Sequence, residues 1–389
     1  MTILTQSHAD LLGGYRPGDS FFFRSPGHTL HAQGTAATVP TCNTVNPAET
    51  LGPRVAQALA AAEAAGQPRP IVVGALPFHP GTPARLTVPA TVRWSGPTPV
   101  GAAPAEPPVA FGALRHTPPP AEYERGVAAA LQRLREGPLT KVVLARALTL
   151  EGVTRADVPA MLHRLAHGNP DGYVFAVDLP PGGTLLGASP ELLVQRAGAL
   201  VTANPLAGSA PRHPDPDTDA RTAEALLGSE KDLREHAAVA DAVADGLRPF
   251  CQDLQVPERP SLTRTPTMWH LSTRIQGRLV DPEVTSLQLA AALHPTPAVC
   301  GTPRRLARQA IQEIEPFDRG FYSGAVGWTD SSGDGEWAIA LRCAHVTPDQ
   351  IRVYAGAGVV TGSDPAAELA ETSAKFRTFL HALGIDREP

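Results

Sequence analysis

Short apolar runs follow one another in two parts of this chain, and within each part no long helical segment separates them. Two such runs lie at 173–177 and 184–188, and three more lie at 326–328, 337–345 and 351–355. Short apolar runs bounded by turn residues are typical of β-strands, and strands that follow each other directly can pair antiparallel. The pattern predicts an α+β protein with mostly antiparallel sheets, and it disfavours a doubly wound parallel sheet.

Helix-start signals and a change in composition mark the remaining organisation. Asp364 and Pro365 supply a capping residue and a first-turn proline for a last helix that runs to about Leu383. A Pro/Ala-rich stretch without periodicity at 97–120 predicts a connection between two larger segments, 1–96 and 121–389. Other predicted helices are 47–64, 121–135, 158–166 and 229–247, and other predicted strands are 20–24, 71–76 and 141–150.

Charge and composition exclude several classes of function. The 389 residues carry 33 Lys+Arg against 38 Asp+Glu, so we expect no basic surface for nucleic-acid phosphates. No apolar run approaches the roughly 20 residues of a membrane-spanning helix, and the N-terminus does not resemble a secretory leader. The four cysteines show no C-x-x-C spacing. We therefore expect a cytoplasmic protein with no membrane or nucleic-acid partner, and a monomer by default.

Two predicted helices each carry an acidic pair at i, i+3 spacing beside apolar residues. The pairs are Asp232 with Glu235, and Glu368 with Glu371. Inward-facing carboxylates are unfavourable unless they are paired or bind a metal, and carboxylate oxygens suit a hard cation such as Mg²⁺. Acidic pairs on helices are common, however, and from spacing alone ordinary helix charge is the more frequent explanation.

Two further residues could transfer protons. Lys141 opens a predicted strand and shares a face with small apolar residues, which makes it a candidate general base. More often such a lysine extends to water. Glu191 follows Ser189 and Pro190, where it could be a proton-donating acid at the edge of a cleft. The alternative is ordinary capping, with Ser189 as the cap of a helix that begins there.

Glycines cluster at two places where the backbone could approach an anion closely. Gly208 precedes Ser209 in the first cluster, and Gly356 and Gly358 follow a predicted strand in the second. The second cluster lacks the third glycine of a dinucleotide-binding fingerprint, so it is weak evidence for a nucleotide site. Arg342 could hold a carboxylate through two hydrogen bonds, or it could be a surface or interface arginine.

Taken together, these segments resemble those of the chorismate-utilising enzymes, and within that family the isochorismate synthases of the siderophore (2,3-dihydroxybenzoate) type. They occur in the family's order and cover most of the chain from about residue 120, and the run YRPGDSFFFRSP near the N-terminus adds to the resemblance. The segments are KVVLAR (141–146), GASPELLV (187–194), PLAGSAPR (205–212), SEKDLREH (229–236), TMWHLSTRIQG (267–277), LHPTPAVCGTPR (293–304), EPFDRGFYSGAVGW (315–328), GEWAIALRCA (335–344), YAGAGVV (354–360) and ELAETSAKF (368–376).

The resemblance implies a Mg²⁺-dependent isomerase that converts chorismate to isochorismate. Water would add at C2 of the ring while the C4 hydroxyl leaves and the double bonds shift. Lys141 would deprotonate the water, and Glu191, itself protonated, would assist the departing hydroxyl. Their surroundings must therefore favour a neutral lysine and a protonated glutamate, the reverse of their usual states.

The resemblance also implies a fold and a set of binding residues. The chain would form one large unit of two antiparallel sheets packed face to face with helices outside, and 121–389 would be the chorismate-binding catalytic region. A downstream enzyme would consume the isochorismate. The implied metal site consists of Glu235 and Glu371, with Asp232 and Glu368 supporting through water. The implied substrate-binding residues are Gly208, Ser209, His270, Ala298, Arg342, Tyr354 and Gly358.

Two alternatives stay open. A salicylate synthase makes isochorismate and then eliminates pyruvate in the same site, but such enzymes usually carry threonine where Ala298 stands. A catalytically inactive scaffold of the same fold would be expected to have lost some of the acidic and basic residues that this chain keeps. The N-terminal resemblance favours siderophore synthesis over menaquinone synthesis as the pathway that uses the product.

Overall fold

The computed structural model describes residues 8–41, 47–97, 100–101, 108–154, 156–179 and 182–385. The helices are α1 (His8–Gly13), α2 (Pro47–Ala64), α3 (Pro120–Glu136), α4 (Val158–Gly168), α5 (Pro216–Gly228), α6 (Glu230–Leu247), α7 (Ser286–Leu293), α8 (Arg304–Ile314) and α9 (Pro365–Ala382). The strands are β1 (Ser20–Arg24), β2 (Thr29–Gln33), β3 (Ala37–Thr38), β4 (Ile71–Leu76), β5 (Arg85–Val88), β6 (Thr91–Ser95), β7 (Ala113–Thr117), β8 (Lys141–Glu151), β9 (Tyr173–Leu179), β10 (Gly183–Ser189), β11 (Leu192–Ala197), β12 (Leu200–Asn204), β13 (Leu206–Pro211), β14 (Cys251–Gln255), β15 (Ser261–Arg264), β16 (Met268–Ser272), β17 (Ile275–Leu279), β18 (Gly301–Thr302), β19 (Ala325–Asp330), β20 (Gly335–Ile339), β21 (Cys343–Val346) and β22 (Gln350–Val360).

Two large sheets form the centre of the molecule. Sheet A has the order β18-β8-β22-β21-β10-β9-β1-β2-β6, with β7 also paired to β8, and sheet B has the order β14-β17-β12-β11-β20-β19-β4-β5-β3. The pairing in both sheets is antiparallel, for example between β8 and β22 and between β19 and β20, which confirms the predicted α+β class. A small sheet C, ordered β13-β16-β15, was not predicted.

Sheets A and B pack face to face, as the family resemblance implies. Their shared core joins Phe23 and Phe175 of sheet A to Val73 and Val326 of sheet B, and each fully buried side chain of this kind contributes about 2 kcal/mol. The outer face of sheet A packs against α4 and α9, and the outer face of sheet B packs against α2 and α7. In the described part of the chain, no helix is both long enough and apolar enough to span a membrane.

The N-terminal segment contributes to both large sheets. Strands β1, β2 and β6 extend sheet A, and β3, β4 and β5 extend sheet B. The predicted connection at 97–120 contains β7, which pairs with β8. The sequence does not reveal β7 because three of its five residues are exposed and no apolar alternation marks it. The division into 1–96, 97–120 and 121–389 stays a prediction.

Most predicted helices and strands occur within a few residues of their expected bounds, but the single strand at 337–345 is wrong. Strand β20 ends at Ile339 in sheet B, and β21 begins at Cys343 in sheet A. Arg342 lies in the crossing between the sheets with a φ of 48°, a left-handed conformation that is uncommon outside glycine. The last helix is as predicted, because the Asp364 carboxylate accepts the Ala367 N–H and caps α9.

Candidate active site

A cavity lies where β8 and β22 of sheet A meet sheet C, α6 and α9. Its lining residues are Val143, Pro190, Glu191, Leu206, Ala207, Gly208, Ser209, Lys231, Asp232, Glu235, His270, Ala298, Val299, Tyr322, Ser323, Leu341, Arg342, Gly356, Gly358, Glu371 and Lys375. Most of the predicted site residues are therefore brought together. The three that do not line the cavity are Lys141, Tyr354 and Glu368.

Two glycines in β22 leave room for this cavity. Gly356 and Gly358 lie inside the strand, which continues to Val360, so the expectation that they follow a strand is wrong. A Cβ at Gly358 would lie 2.7 Å from Glu235 Oε1, and a Cβ at Gly356 would lie 2.8 Å from the Tyr322 hydroxyl. Both separations are too short, so any side chain at either position would displace groups that line the cavity.

Lys141 and Glu235 form an ion pair at the cavity wall. Lys141 Nζ lies 2.7 Å from Glu235 Oε1, and the two side chains are 5% and 11% exposed. Glu235 lines the cavity, whereas Lys141 does not. The alternative that Lys141 extends to water is therefore wrong, and its ammonium has a charged neighbour that the strand pattern does not predict. Removing one member of a buried pair leaves the other charge uncompensated, so the two groups act as a unit.

Glu191 lies in the short link between β10 and β11. The residue is 2% exposed, and burial raises its pKa to about 8, although the Leu206 N–H, Lys141 and Arg342 act in the opposite direction. Glu191 is therefore mainly protonated at neutral pH, as a proton donor must be. The capping alternative is wrong, because the chain continues from Ser189 into β11 and no helix begins there.

Arg342 brings a buried cation to the cavity. The residue is 6% exposed, and its Nη2 lies 3.4 Å from His270 Nε2. Burial lowers the pKa of His270 well below its usual value, so the imidazole is neutral. Among the residues that the structure describes, the buried Arg342 Nε has no hydrogen-bond acceptor. A buried guanidinium with a donor to spare suits the carboxylate of a ligand.

Glu371 and Lys375 lie one turn apart on α9. Lys375 Nζ lies 2.5 Å from Glu371 Oε1 and donates to the Gly356 carbonyl at 2.8 Å. The Ser209 hydroxyl donates to Glu371 at 3.1 Å. Burial raises the pKa of Glu371, but Lys375 and Ser209 together hold that pKa below its usual range. Glu371 is therefore an ionised carboxylate in the cavity.

The other two predicted carboxylates differ in position. Asp232 lines the cavity, and its Oδ2 accepts the Ser229 hydroxyl at 2.5 Å. Glu368 lies outside the lining, is 3% exposed, and is 3.8 Å from Lys231 Nζ. Burial and the neighbouring charge of Glu371 raise the pKa of Glu368 to about 7. Glu368 is therefore partly protonated near neutral pH.

These carboxylates offer oxygen ligands for a metal ion, but they do not surround one point. Within the described residues, no three His, Cys, Asp or Glu side chains form a metal-binding group. Asp232, Glu235 and Glu371 are each bonded to a protein partner instead. Their donor atoms are all carboxylate oxygens, which hard divalent cations prefer. The chemistry of these residues therefore suits such a cation. Its binding would require Glu235 to separate from Lys141 and Glu371 to separate from Lys375.

Tyr322, rather than Tyr354, lines the cavity. Tyr354 lies on β22, and its ring stacks on Tyr322 with 5.0 Å between the ring centroids. Tyr322 precedes β19 in a turn that periodicity does not identify, although it lies within a segment that carries the family resemblance. Sequence reasoning also missed Lys375, whose i+4 spacing from Glu371 on a predicted helix could have revealed it.

Comparisons with known proteins identify the family of this chain. Residues 102–384 match the family model described as chorismate binding enzyme. The chain is 53% identical to isochorismate synthase DhbC of Bacillus subtilis strain 168, over 99% of this chain and 98% of that relative. It is 41% identical to the vibriobactin-specific isochorismate synthase of Vibrio cholerae serotype O1, over 94% of this chain and 92% of that relative.

A solved structure shows the same fold. The crystal structure of DhbC from Bacillus anthracis, assigned as a 2,3-dihydroxybenzoate-specific isochorismate synthase, matches with a TM-score of 0.92 and 48% sequence identity. The match covers 97% of this chain and 99% of that chain. Sequence and structure agree over nearly the whole length, and the chain belongs to the chorismate-binding enzyme family.

Proposed function

We propose that this chain is an isochorismate synthase that isomerises chorismate to isochorismate and feeds siderophore synthesis through 2,3-dihydroxybenzoate. The observation that carries the proposal is that the buried Glu191 and the buried Arg342 line the same cavity. Burial also raises the pKa of Glu191 to about 8, which favours its protonated form. The identity of 53% to a relative named isochorismate synthase supports the same reaction.

The reaction needs one base and one acid. A water oxygen bonds to C2 of the chorismate ring, the ring double bonds shift, and the C4–O bond breaks. Lys141 would accept a proton from the attacking water, which requires release of its ion pair with Glu235. Glu191 would donate a proton to the departing hydroxyl, so that one water is consumed and one is released. A positioned acid or base contributes roughly 10²–10⁴ in rate.

Chorismate carries two carboxylates, and the cavity offers groups for both. Arg342 and the backbone near Gly358 would hold the enolpyruvyl carboxylate, while Gly208, Ser209 and His270 line the cavity nearby. A bound Mg²⁺ would neutralise the ring carboxylate. The residues that would hold it are Glu235 and Glu371, with Asp232 and Glu368 supporting through water.

Product analysis of the purified protein tests this proposal. Chorismate is incubated with the protein and Mg²⁺ without a coupling enzyme, and the products are separated and identified by NMR. We expect isochorismate and little pyruvate. Salicylate with an equal amount of pyruvate would indicate a salicylate synthase, and chorismate binding without turnover would indicate an inactive member of the family. Light scattering in the same buffer tests the expected monomer.

The product must be removed by another enzyme. Chorismate and isochorismate differ little in bonding, so the isomerisation is expected to be reversible. An enzyme only accelerates the approach to that equilibrium. A downstream isochorismate-consuming enzyme is therefore the partner that would make the pathway run in one direction.

A further inference from the structure

Arg319 lies outside the cavity but is bonded to two segments that line it. Its side chain is 0% exposed. Nη1 donates to the Val299 carbonyl at 2.8 Å, and Nη2 donates to the Val143 carbonyl at 2.7 Å. Both valines line the cavity. Val299 follows Ala298 directly, and Val143 lies two residues after Lys141 on β8.

Glu315 completes this buried cluster. Arg319 Nε and Nη2 donate to its two carboxylate oxygens at 2.9 Å and 2.5 Å. Glu315 Oε1 also accepts the Ala145 N–H of β8 at 2.7 Å. Burial opposes the charge on Arg319, but Glu315 more than offsets this and raises the pKa of the guanidinium. The planar, permanently charged guanidinium of Arg319 therefore joins β8, the segment that contains Ala298 and Val299, and the turn before β19.

We infer that Arg319 is a positioning residue, which holds the Ala298 end of the cavity at a fixed distance from the strand that carries Lys141. The inference rests on the proposed function. A displacement of about 1 Å in an active site can lower the rate roughly 10²-fold. The described hydrogen bonds of Arg319 do not reach Arg342 or Lys375. Loss of the Arg319 guanidinium should therefore lower the rate of turnover more than it lowers the affinity for chorismate.

Arg319→Lys is the informative substitution. Lysine keeps the positive charge beside Glu315, but one ammonium group cannot span two carbonyls and both carboxylate oxygens. Arg196 offers a matched control, because it is also buried and also bridges separate segments, none of which lines the cavity. The partners of Arg196 are the carbonyls of Gly198, Pro282 and Val284 and the carboxylate of Asp334.

The experiment measures kcat, KM and the urea midpoint of unfolding for Arg319→Lys and Arg196→Lys. We expect both substitutions to lower the midpoint. Only Arg319→Lys should lower kcat, by about tenfold or more with KM changed less than about threefold. A kcat for Arg319→Lys equal to that of Arg196→Lys would overturn the inference, and so would a change confined to KM.

A second variant covers the case in which Arg319→Lys does not fold. Glu315→Gln keeps an acceptor for the Ala145 N–H but removes the negative charge that pairs with Arg319. We again expect a lower kcat with little change in KM. An unchanged kcat in Glu315→Gln would then overturn the inference. A wild-type protein that makes no isochorismate would overturn both the proposed function and this inference. An active wild-type protein whose variants keep the wild-type kcat would overturn this inference alone.

Discussion

Lys141 Nζ lies 2.7 Å from Glu235 Oε1, so the proposed base and a proposed metal ligand are in direct contact. The contact joins β8 of sheet A to α6 across the cavity wall. Glu235 can pair with the ammonium or bind a cation with the same carboxylate. Cation binding and the availability of Lys141 as a base are therefore expected to be coupled.

Glu235→Gln and Glu371→Gln should abolish turnover, because each removes a charged oxygen ligand from the proposed Mg²⁺ site. Glu313→Gln is a suitable control, since that glutamate pairs with Arg133 away from the cavity. The measurement is the rate of isochorismate formation as Mg²⁺ is titrated, with calorimetry to detect cation binding. Full activity in excess chelator would contradict the metal requirement.

Lys141→Ala and Glu191→Gln should each lower kcat by on the order of 10² or more, as expected for a positioned base and acid. Lys141→Ala also leaves Glu235 buried without its partner, which costs about 3 kcal/mol of folding stability. Circular dichroism and urea unfolding should accompany the kinetics so that the two effects are separated. Near wild-type rates in a folded variant would remove that residue from the mechanism.

The protonation of Glu191 predicts how stability depends on pH. Its pKa is about 8 in the folded protein against 4.5 for an ordinary glutamate, so the folded state retains a proton that the unfolded state loses. The associated stability is fully present below pH 4.5 and is lost as the pH rises through 8. Relative to the wild type, Glu191→Gln should therefore gain stability over this range, by on the order of a few kcal/mol. Urea unfolding at several pH values measures this difference, and a difference that is independent of pH would contradict the assignment.

The fold class and the acidic pairs could be predicted because they depend on local patterns, whereas His270 and Ala298 in the cavity lining were expected only from the family resemblance. Strand runs, the Asp364 cap and the helix spacing of the acidic pairs are all readable in the sequence. The contact between Lys141 and Glu235 depends instead on which helix packs against which strand. The sheet crossing at Arg342 lies within the mostly apolar run GEWAIALRCA, in which no proline, asparagine or internal glycine marks the change of sheet.

Ala298→Thr should divert part of the product toward elimination. Ala298 lines the cavity, and a threonine there adds a hydroxyl and a methyl that could hold the enolpyruvyl side chain in the pose for elimination. The variant should release detectable pyruvate and salicylate, while the parent releases little of either. Ala298→Val, which has the shape of threonine without the hydroxyl, separates shape from hydrogen bonding. If the parent itself makes mostly salicylate, the isochorismate assignment is wrong.

Tyr322→Phe should impair the enzyme more than Tyr354→Phe. Tyr322 lines the cavity and its hydroxyl lies beside Gly356, whereas Tyr354 is stacked against Tyr322 and does not line the cavity. We expect the Tyr322 hydroxyl to donate to a carboxylate of the substrate, and loss of one such bond costs about 1.5–3 kcal/mol, which corresponds to a fall of roughly ten- to a hundredfold in kcat/KM. Equal falls in kcat/KM for the two substitutions would contradict the claim that Tyr322, and not Tyr354, contacts the substrate.

The central claim is that water adds to C2 of chorismate while the C4 hydroxyl leaves. The most direct test is turnover in water enriched in oxygen-18, with brief incubation and mass spectrometry of the isolated product. The account predicts isochorismate that carries one heavy oxygen at the C2 hydroxyl. Unlabelled isochorismate would contradict water addition, and salicylate with pyruvate as the main products would contradict the assigned reaction.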